Sequence, residues 1–120
     1  MTAEQKYTEE DIWDLINKES VSLDKQEDLF FDALRIMPEK WSLPPYGDHN
    51  DGFWVVGIIG QMVLWYNHIE DGFNSSRYSK YGIINEYWCN QDSLPMAIRS
   101  LKLILETGSH NRKARPPTPI

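Results

Sequence analysis

His68, Ser75 and Glu86 are the side chains in this chain whose types and spacing come closest to catalytic chemistry. They lie in and beyond the stretch WYNHIEDGF, residues 65 to 73, where a tyrosine, an asparagine, a histidine and two carboxylates follow an apolar run. An Asp-Gly pair suits a type I′ hairpin turn, so Asp71 and Gly72 are expected to reverse the chain. That register pairs Glu70 with Phe73, His68 with Ser75 and Tyr66 with Arg77. Side chains alternate between the faces of a strand. Tyr66, His68, Glu70, Ser75 and Arg77 then share one face, and Trp65, Asn67, Ile69, Asn74, Ser76 and Tyr78 the other. With the next turn over residues 79–82, Ser75 also pairs with Glu86. An imidazole, a hydroxyl and a carboxylate would stand in one row across three strands, within cross-strand reach.

Those are the parts of a nucleophile, a base and an orienting acid, and a hydrolytic or small-molecule site would use Tyr66, His68, Ser75, Arg77 and Glu86. Three arguments weigh against it. The base should stand between nucleophile and acid, and here the serine does. Ser75 falls mid-strand with no sharp elbow, and no Gly-rich loop offers an oxyanion hole. A slip of one residue in register would send every side chain to the opposite face. The plainer reading is a polar sheet face with Arg77 and Glu86 as a diagonal ion pair.

The other reactive types give less. His49 stands in GDHND between Asp48 and Asp51, too close in sequence to define a metal geometry, so a polar loop tip is expected. Cys89 is the single cysteine. It can form no internal disulfide, joins no zinc-type spacing and has no basic neighbour to lower its pKa, so it reads as a small buried hydrophobe. Gly57, Gly60 and Gly72 lack the spacing and the following helix of a phosphate loop. No catalytic residue, cofactor or metal is expected.

The elements that must position these residues are legible from pattern. Thr8 before Glu9, Glu10 and Asp11 marks a helix start, with Ile12, Trp13 and Ile16 on one face and an end near Lys18 or Glu19. A second helix begins near Asp24, and Leu29, Phe30, Ala33, Leu34 and Met37 follow the 3.6-residue period until Pro38 stops it. Residues 38–52, PEKWSLPPYGDHNDG, read as a long loop, a kind often functional in small domains. The β-branched and aromatic stretch that follows predicts four antiparallel strands, about 53–59, 62–69, 73–79 and 83–88. Gly60-Gln61 makes a type II′ turn between the first two. Those two strands are apolar on both faces, so both faces should be covered. Helices would cover one; the long loop or a second copy of the chain would cover the other. Asp92 or Ser93 caps a last helix with Pro95 in its first turn and a stripe of Leu94, Ala97, Ile98, Leu101, Ile104 and Leu105; Gly108 stops it. The fold predicted is one α+β domain over residues 1–108: two helices, a four-stranded antiparallel meander sheet, and a C-terminal helix packed on it. Residues 109–120, basic and Pro-rich, are expected to be disordered.

The chain has 120 residues and a formal net charge of −6. Charge is uneven: residues 1–37 hold ten acidic and four basic side chains, 38–92 seven and three, and 93–120 one and five. An acidic body repels nucleic-acid phosphate and favours a basic protein partner. The start, MTAEQKYTEEDI, lacks the features of a signal peptide, and the longest apolar run, Phe53 to Ile59, is shorter than the ~20 residues of a membrane helix. A soluble cytoplasmic protein is expected, with no membrane or nucleic-acid partner.

The segment MVLWYNHIEDGFNSSRYSKYGIINEYWCNQDSL, residues 62 to 94, resembles small bacterial proteins of uncharacterised function, some of which sit in toxin–immunity gene clusters. The likeness is in size, acidity, aromatic hairpins and the closing helix. It implies a protein that binds and neutralises one cognate toxin, and no residue carries a family role. The leading expectation is therefore an acidic protein-binding module of the immunity type that blocks a basic toxin. Asp14, Asp28, Asp48 and Asp51 would supply charge, and Trp41 and Tyr46 aromatic anchors, since Trp and Tyr are enriched at interface hot spots; Glu70 and Asp71 would assist. Two rivals stand beside it: a small-molecule-binding or hydrolase-like domain using the polar sheet face, and a structural homodimer joined through a sheet face.

Overall fold

The computed structural model describes residues 7–47 and 51–107. The chain runs α1 (Glu9–Ser20), α2 (Lys25–Leu34), β1 (Arg35–Trp41), β2 (Phe53–Ile59), β3 (Met62–Asn67), β4 (Gly72–Arg77) and α3 (Leu94–Thr107). The four strands form one antiparallel sheet in sequential order, and α3 packs on β3 and β4. The α+β meander predicted from the sequence is the fold observed.

Both N-terminal helices start on reciprocal caps. Thr8 Oγ1 accepts from Asp11 N while Asp11 returns a bond from Thr8 N, and Asp24 and Glu27 do the same for α2. Each cap satisfies two orphan donors of the first turn. Ile12 and Ile16 bury one face of α1, and Phe31 and Leu34 one face of α2. The first turn of α3 is closed by Ser93, whose carbonyl accepts from Ala97 N at 3.0 Å. It is closed again by Glu19 of α1, whose carboxylate accepts from Leu94 N at 2.6 Å. A carboxylate at a helix N-terminus is favoured by the dipole, and here it also fixes α1 to α3. The tail from residue 109 and the Gly108 stop lie outside the described residues.

Two boundaries differ from the pattern reading. The second helix ends at Leu34 rather than Met37, because Arg35 is already extended (φ −68, ψ 145) and opens β1. Residues 35–41 are thus a strand where a helix end and loop were expected. Pro38 sits in it because β1 is an edge strand and its register with β2 shifts between Arg35 and Glu39; proline is tolerated at edges and bulges, where its missing N–H breaks no ladder. Conversely, residues 83–88 are not a ladder strand. The sheet has four strands, but the fourth member is β1.

The β2–β3 turn is the Gly60-Gln61 turn predicted. Ile59 pairs with Met62, and Gly60 takes φ +58, the left-handed first position of a type II′ turn. The β3–β4 connection is longer than predicted. Asn67 pairs with Gly72 and Tyr66 with Phe73, so residues 68–71 form a four-residue loop. Asn67 Oδ1 closes it by accepting from Ile69 N (3.0 Å) and Glu70 N (3.2 Å). Asp71, not Gly72, takes the left-handed conformation (φ 59), which Asp tolerates better than most residues.

Both faces of the sheet are buried. On one, Val56, Met62, Leu64, Tyr66 and Phe73 meet Ile12, Ile16, Phe31, Leu34, Ile98 and Leu101 of the helices. On the other, Phe53, Val55, Val63 and Trp65 pack with Trp41, Leu43 and Ile84. The cover of this second face is irregular chain, residues 42–46 and 78–92. Carbonyls at every second position are held by the sheet: Glu86 O by Ser76 Oγ (2.7 Å), Trp88 O by Asn67 Nδ2 (3.0 Å), Asn90 O by Asn74 Nδ2 (3.0 Å) and Asp92 O by Phe73 N (2.9 Å). Asn67, Asn74 and Ser76 are all buried, and this pairing is what makes their burial affordable.

Candidate functional site

The row of His68, Ser75 and Glu86 does not form. β3 and β4 pair four residues away from the expected register: Leu64 faces Ser75, and Met62 faces Arg77. An even slip keeps strand residues on the same faces, so Tyr66, Ser75 and Arg77 remain on one side, but their neighbours change. His68 leaves the strand and packs on the Phe53 ring, centroids 4.9 Å apart, beside the second face. Ser75 is buried on the helix-covered face through its pair with Leu64. Histidine and serine are therefore separated by the sheet, and α3 fills the face that a polar pocket would have needed.

Glu86 is occupied. Its carboxylate accepts from Arg77 N (3.0 Å), Arg77 Nε (3.0 Å), Arg77 Nη2 (2.7 Å) and Trp88 Nε1 (3.3 Å). Burial alone would raise its pKa, but the bonds from Arg77 and Trp88 outweigh burial and hold it below the usual carboxylate range. The predicted Arg77–Glu86 ion pair is present, as a fastening of the irregular segment to the end of β4. Tyr66 is buried and donates its hydroxyl to Asp71 Oδ1 in a short bond. Burial, and next the bond to Asp71, push the phenol far above its ordinary pKa, so it stays protonated. Tyr7 packs on it at 4.9 Å, and Trp54 Nε1 donates to Tyr7 O at 2.8 Å. This group fastens the chain ahead of α1 to the sheet.

The residues expected to meet a partner divide as well. Asp14 on α1 and Asp28 on α2 are exposed, as is Asp51, which takes a left-handed φ of 61. Trp41 is 1% exposed, so it is a core residue and no anchor; its ring packs edge-on to Tyr78 and tilted against Tyr81. Tyr46 is half-buried and stacked on Tyr87, centroids 3.8 Å apart. Glu70 is half-buried, Asp71 is exposed but accepts from Tyr66, and Asp48 lies outside the described residues. The homodimer reading also loses its surface, because the chain's own residues 42–46 and 78–92 cover the sheet face it required.

Sequence reasoning missed the apolar members of the helical surface. Val21, in the turn between α1 and α2, is 82% exposed, and Leu29 on α2 is 61% exposed. Leu29 follows the period of the predicted core stripe, but its exposure alongside Asp28 and Asp32 places it on the outer side of α2. Tyr87 was also missed. It joins Tyr46, Phe53 and Trp65 in an aromatic cluster, and burial raises its pKa. Burial, then the Glu70 charge, likewise raises the Cys89 thiol, which opposes thiolate reactivity.

Among the described residues no group of three or more His, Cys, Asp or Glu side chains could hold a metal ion, and no helix is long and apolar enough to cross a membrane. No protein-family model, no curated protein and no solved structure matches the chain.

Proposed function

We propose that the protein is an acidic binding module that holds a basic protein partner, acting as an immunity protein does when it covers the cleft of a cognate toxin. The observation that carries this reading is the outer surface of α1 and α2. Asp14 on α1 and Asp28 on α2 are exposed, Val21 in the turn between the two helices is 82% exposed, and Leu29, next to Asp28, is 61% exposed; Asp32 is exposed too but pairs with Arg35 at 3.9 Å. Exposed carboxylates and exposed aliphatic side chains on one pair of helices suit a protein surface, since charge steers the encounter and desolvated apolar contacts hold it. Mechanism is then steric and electrostatic blockade, with no bond made or broken.

The test is affinity capture of the tagged protein from extract of its own host at low and high salt, with mass spectrometry of what is retained. One basic protein should be held at low salt and weakened at high salt. Asp28→Lys should weaken its affinity about tenfold or more, while the variant keeps the native far-UV spectrum. A partner indifferent to both ionic strength and Asp28→Lys would count against the electrostatic part of the proposal.

A further inference from the structure

The first half of α3 and the chain just before it enclose a cleft of about 260 Å³, lined by Asn90, Asp92, Met96, Arg99 and Ser100. Its charge balance is not what the lining suggests. Arg99 turns its Nε and Nη2 onto the two carboxylate oxygens of Glu27 on α2, the second bond at 3.3 Å. A carboxylate bridged in this way neutralises the guanidinium. Asp92 has no such partner. Its Oδ2 takes a long bond from Asn90 Nδ2 at 3.3 Å, and its Oδ1 takes none from the described residues. Ser100 is 7% exposed, and its hydroxyl has no hydrogen-bond partner among the described residues. A buried hydroxyl without a partner is unusual in a folded protein, and this one borders the cleft. Met96, 53% exposed, forms an apolar wall.

We infer that this cleft is a subsite for a lysine side chain presented by the basic partner, with the ammonium taken by Asp92 and the Ser100 hydroxyl and the aliphatic stem lying on Met96. The inference rests on the basic-partner reading for the source of the lysine. The site's chemistry rests on its own residues. An ammonium has three donors and no acceptor, and the cleft offers a carboxylate oxygen and a hydroxyl without partners. The uncompensated charge of the lining is negative, which suits a cation and opposes a phosphate or carboxylate ligand. The volume lies below the ~300 Å³ at which drug-sized ligand sites begin, and a flexible methylene stem packs well on a thioether.

The experiment uses the full chain with a ¹³C-methyl label on methionine. The probe is Nα-acetyl-lysine methylamide, with its Nε-acetylated analogue as the neutral comparison. The ammonium probe should shift the Met96 methyl and the Asp92 and Ser100 amides saturably, with a Kd of about 1–30 mM. The acetylated analogue should not. Asp92→Asn should weaken the probe about tenfold, and Ser100→Ala about threefold. Absence of a saturable shift up to about 50 mM, or equal responses to charged and neutral probes, would overturn the subsite. The comparison of probes is made on the unaltered chain, so it decides the matter even if Asp92→Asn fails to fold. A chain that takes the lysine probe but retains no basic protein from extract keeps the subsite and loses the partner reading. A basic partner held unchanged by Asp92→Asn, with no probe response, does the reverse.

Discussion

The helix-covered face of the sheet and the face under residues 78–92 are both buried, yet they are closed by different means. On the first, regular helices satisfy their own backbone, and the sheet offers mainly apolar side chains, among them Val56, Met62, Leu64 and Phe73, with Ser75 buried beside Leu64. On the second, the cover has no ladder of its own. Buried backbone groups must find partners, so the sheet supplies them from Asn67, Asn74 and Ser76 between its aromatic residues. Trp65 Nε1 donates to Ser76 Oγ at 2.9 Å, and Ser76 Oγ donates onward to Glu86 O. One face is held by area, which is tolerant of detail. The other is held by a few directed bonds, each of which has a definite partner to lose.

Two glycines probe that contrast most severely. A Cβ on Gly72 would lie 2.4 Å from Asn90 O and 2.4 Å from Gln91 Cα, both backbone atoms of the cover. A Cβ on Gly57 would lie 2.2 Å from Leu34 Cδ1, the end of a flexible side chain on the helical side. Gly72→Ala should therefore cost the most, about 3 kcal/mol or more, by lifting the cover, while Gly57→Ala stays within about 1–3 kcal/mol. Urea denaturation of both variants measures this. Equal costs would mean that the two faces yield alike.

Asn74→Ala comes next. It removes the bond to Asn90 O and the bond from Asn90 N, at 3.0 and 3.1 Å, from a residue that is itself buried. Two orphaned backbone groups should cost about 2–4 kcal/mol. Hydrogen exchange should show the loss at residues 88–92 while the amides of α3 stay protected. Uniform loss across the chain would show that the cover does not open on its own.

The smallest effect concerns acid. The folded pKa of Glu86 is lowered by its bonds to Arg77 and Trp88, against the pull of burial. Its contribution is present above the unfolded value of about 4.3 and is lost as pH falls through the folded value. Arg77 is largely exposed, so solvent screening limits the contribution to about 1 kcal/mol. Glu86→Gln should be less stable than the parent by about that amount at neutral pH, with the gap closing below pH ~4. A gap that persists unchanged in acid would assign the effect to packing of the side chain.

The sequence by itself determined the elements whose signals are local. The helix starts at Thr8 and Asp24, the Gly60-Gln61 turn, Ser93 ahead of α3 and the 3.6-residue stripe of Leu94, Ala97, Ile98 and Leu101 each depend on neighbours within a few residues. The face alternation in β3 and β4 survived even a four-residue error in register, because side-chain direction has a period of two. What the tertiary structure decided was everything that needed a distant partner. Asp71-Gly72 looked like a two-residue turn, but Gly72 is glycine because the backbone of residues 90–92 crosses within reach of its Cα. Residues 83–88 have a strand's composition, yet their carbonyls are claimed by side chains of the sheet instead of a neighbouring strand. Residues 35–41 became a strand despite Pro38 because the free edge of β2 was there to receive them. Burial of Trp41, exposure of Leu29 and the uncompensated Asp92 beside Ser100 follow from packing across the whole chain, which no local pattern encodes.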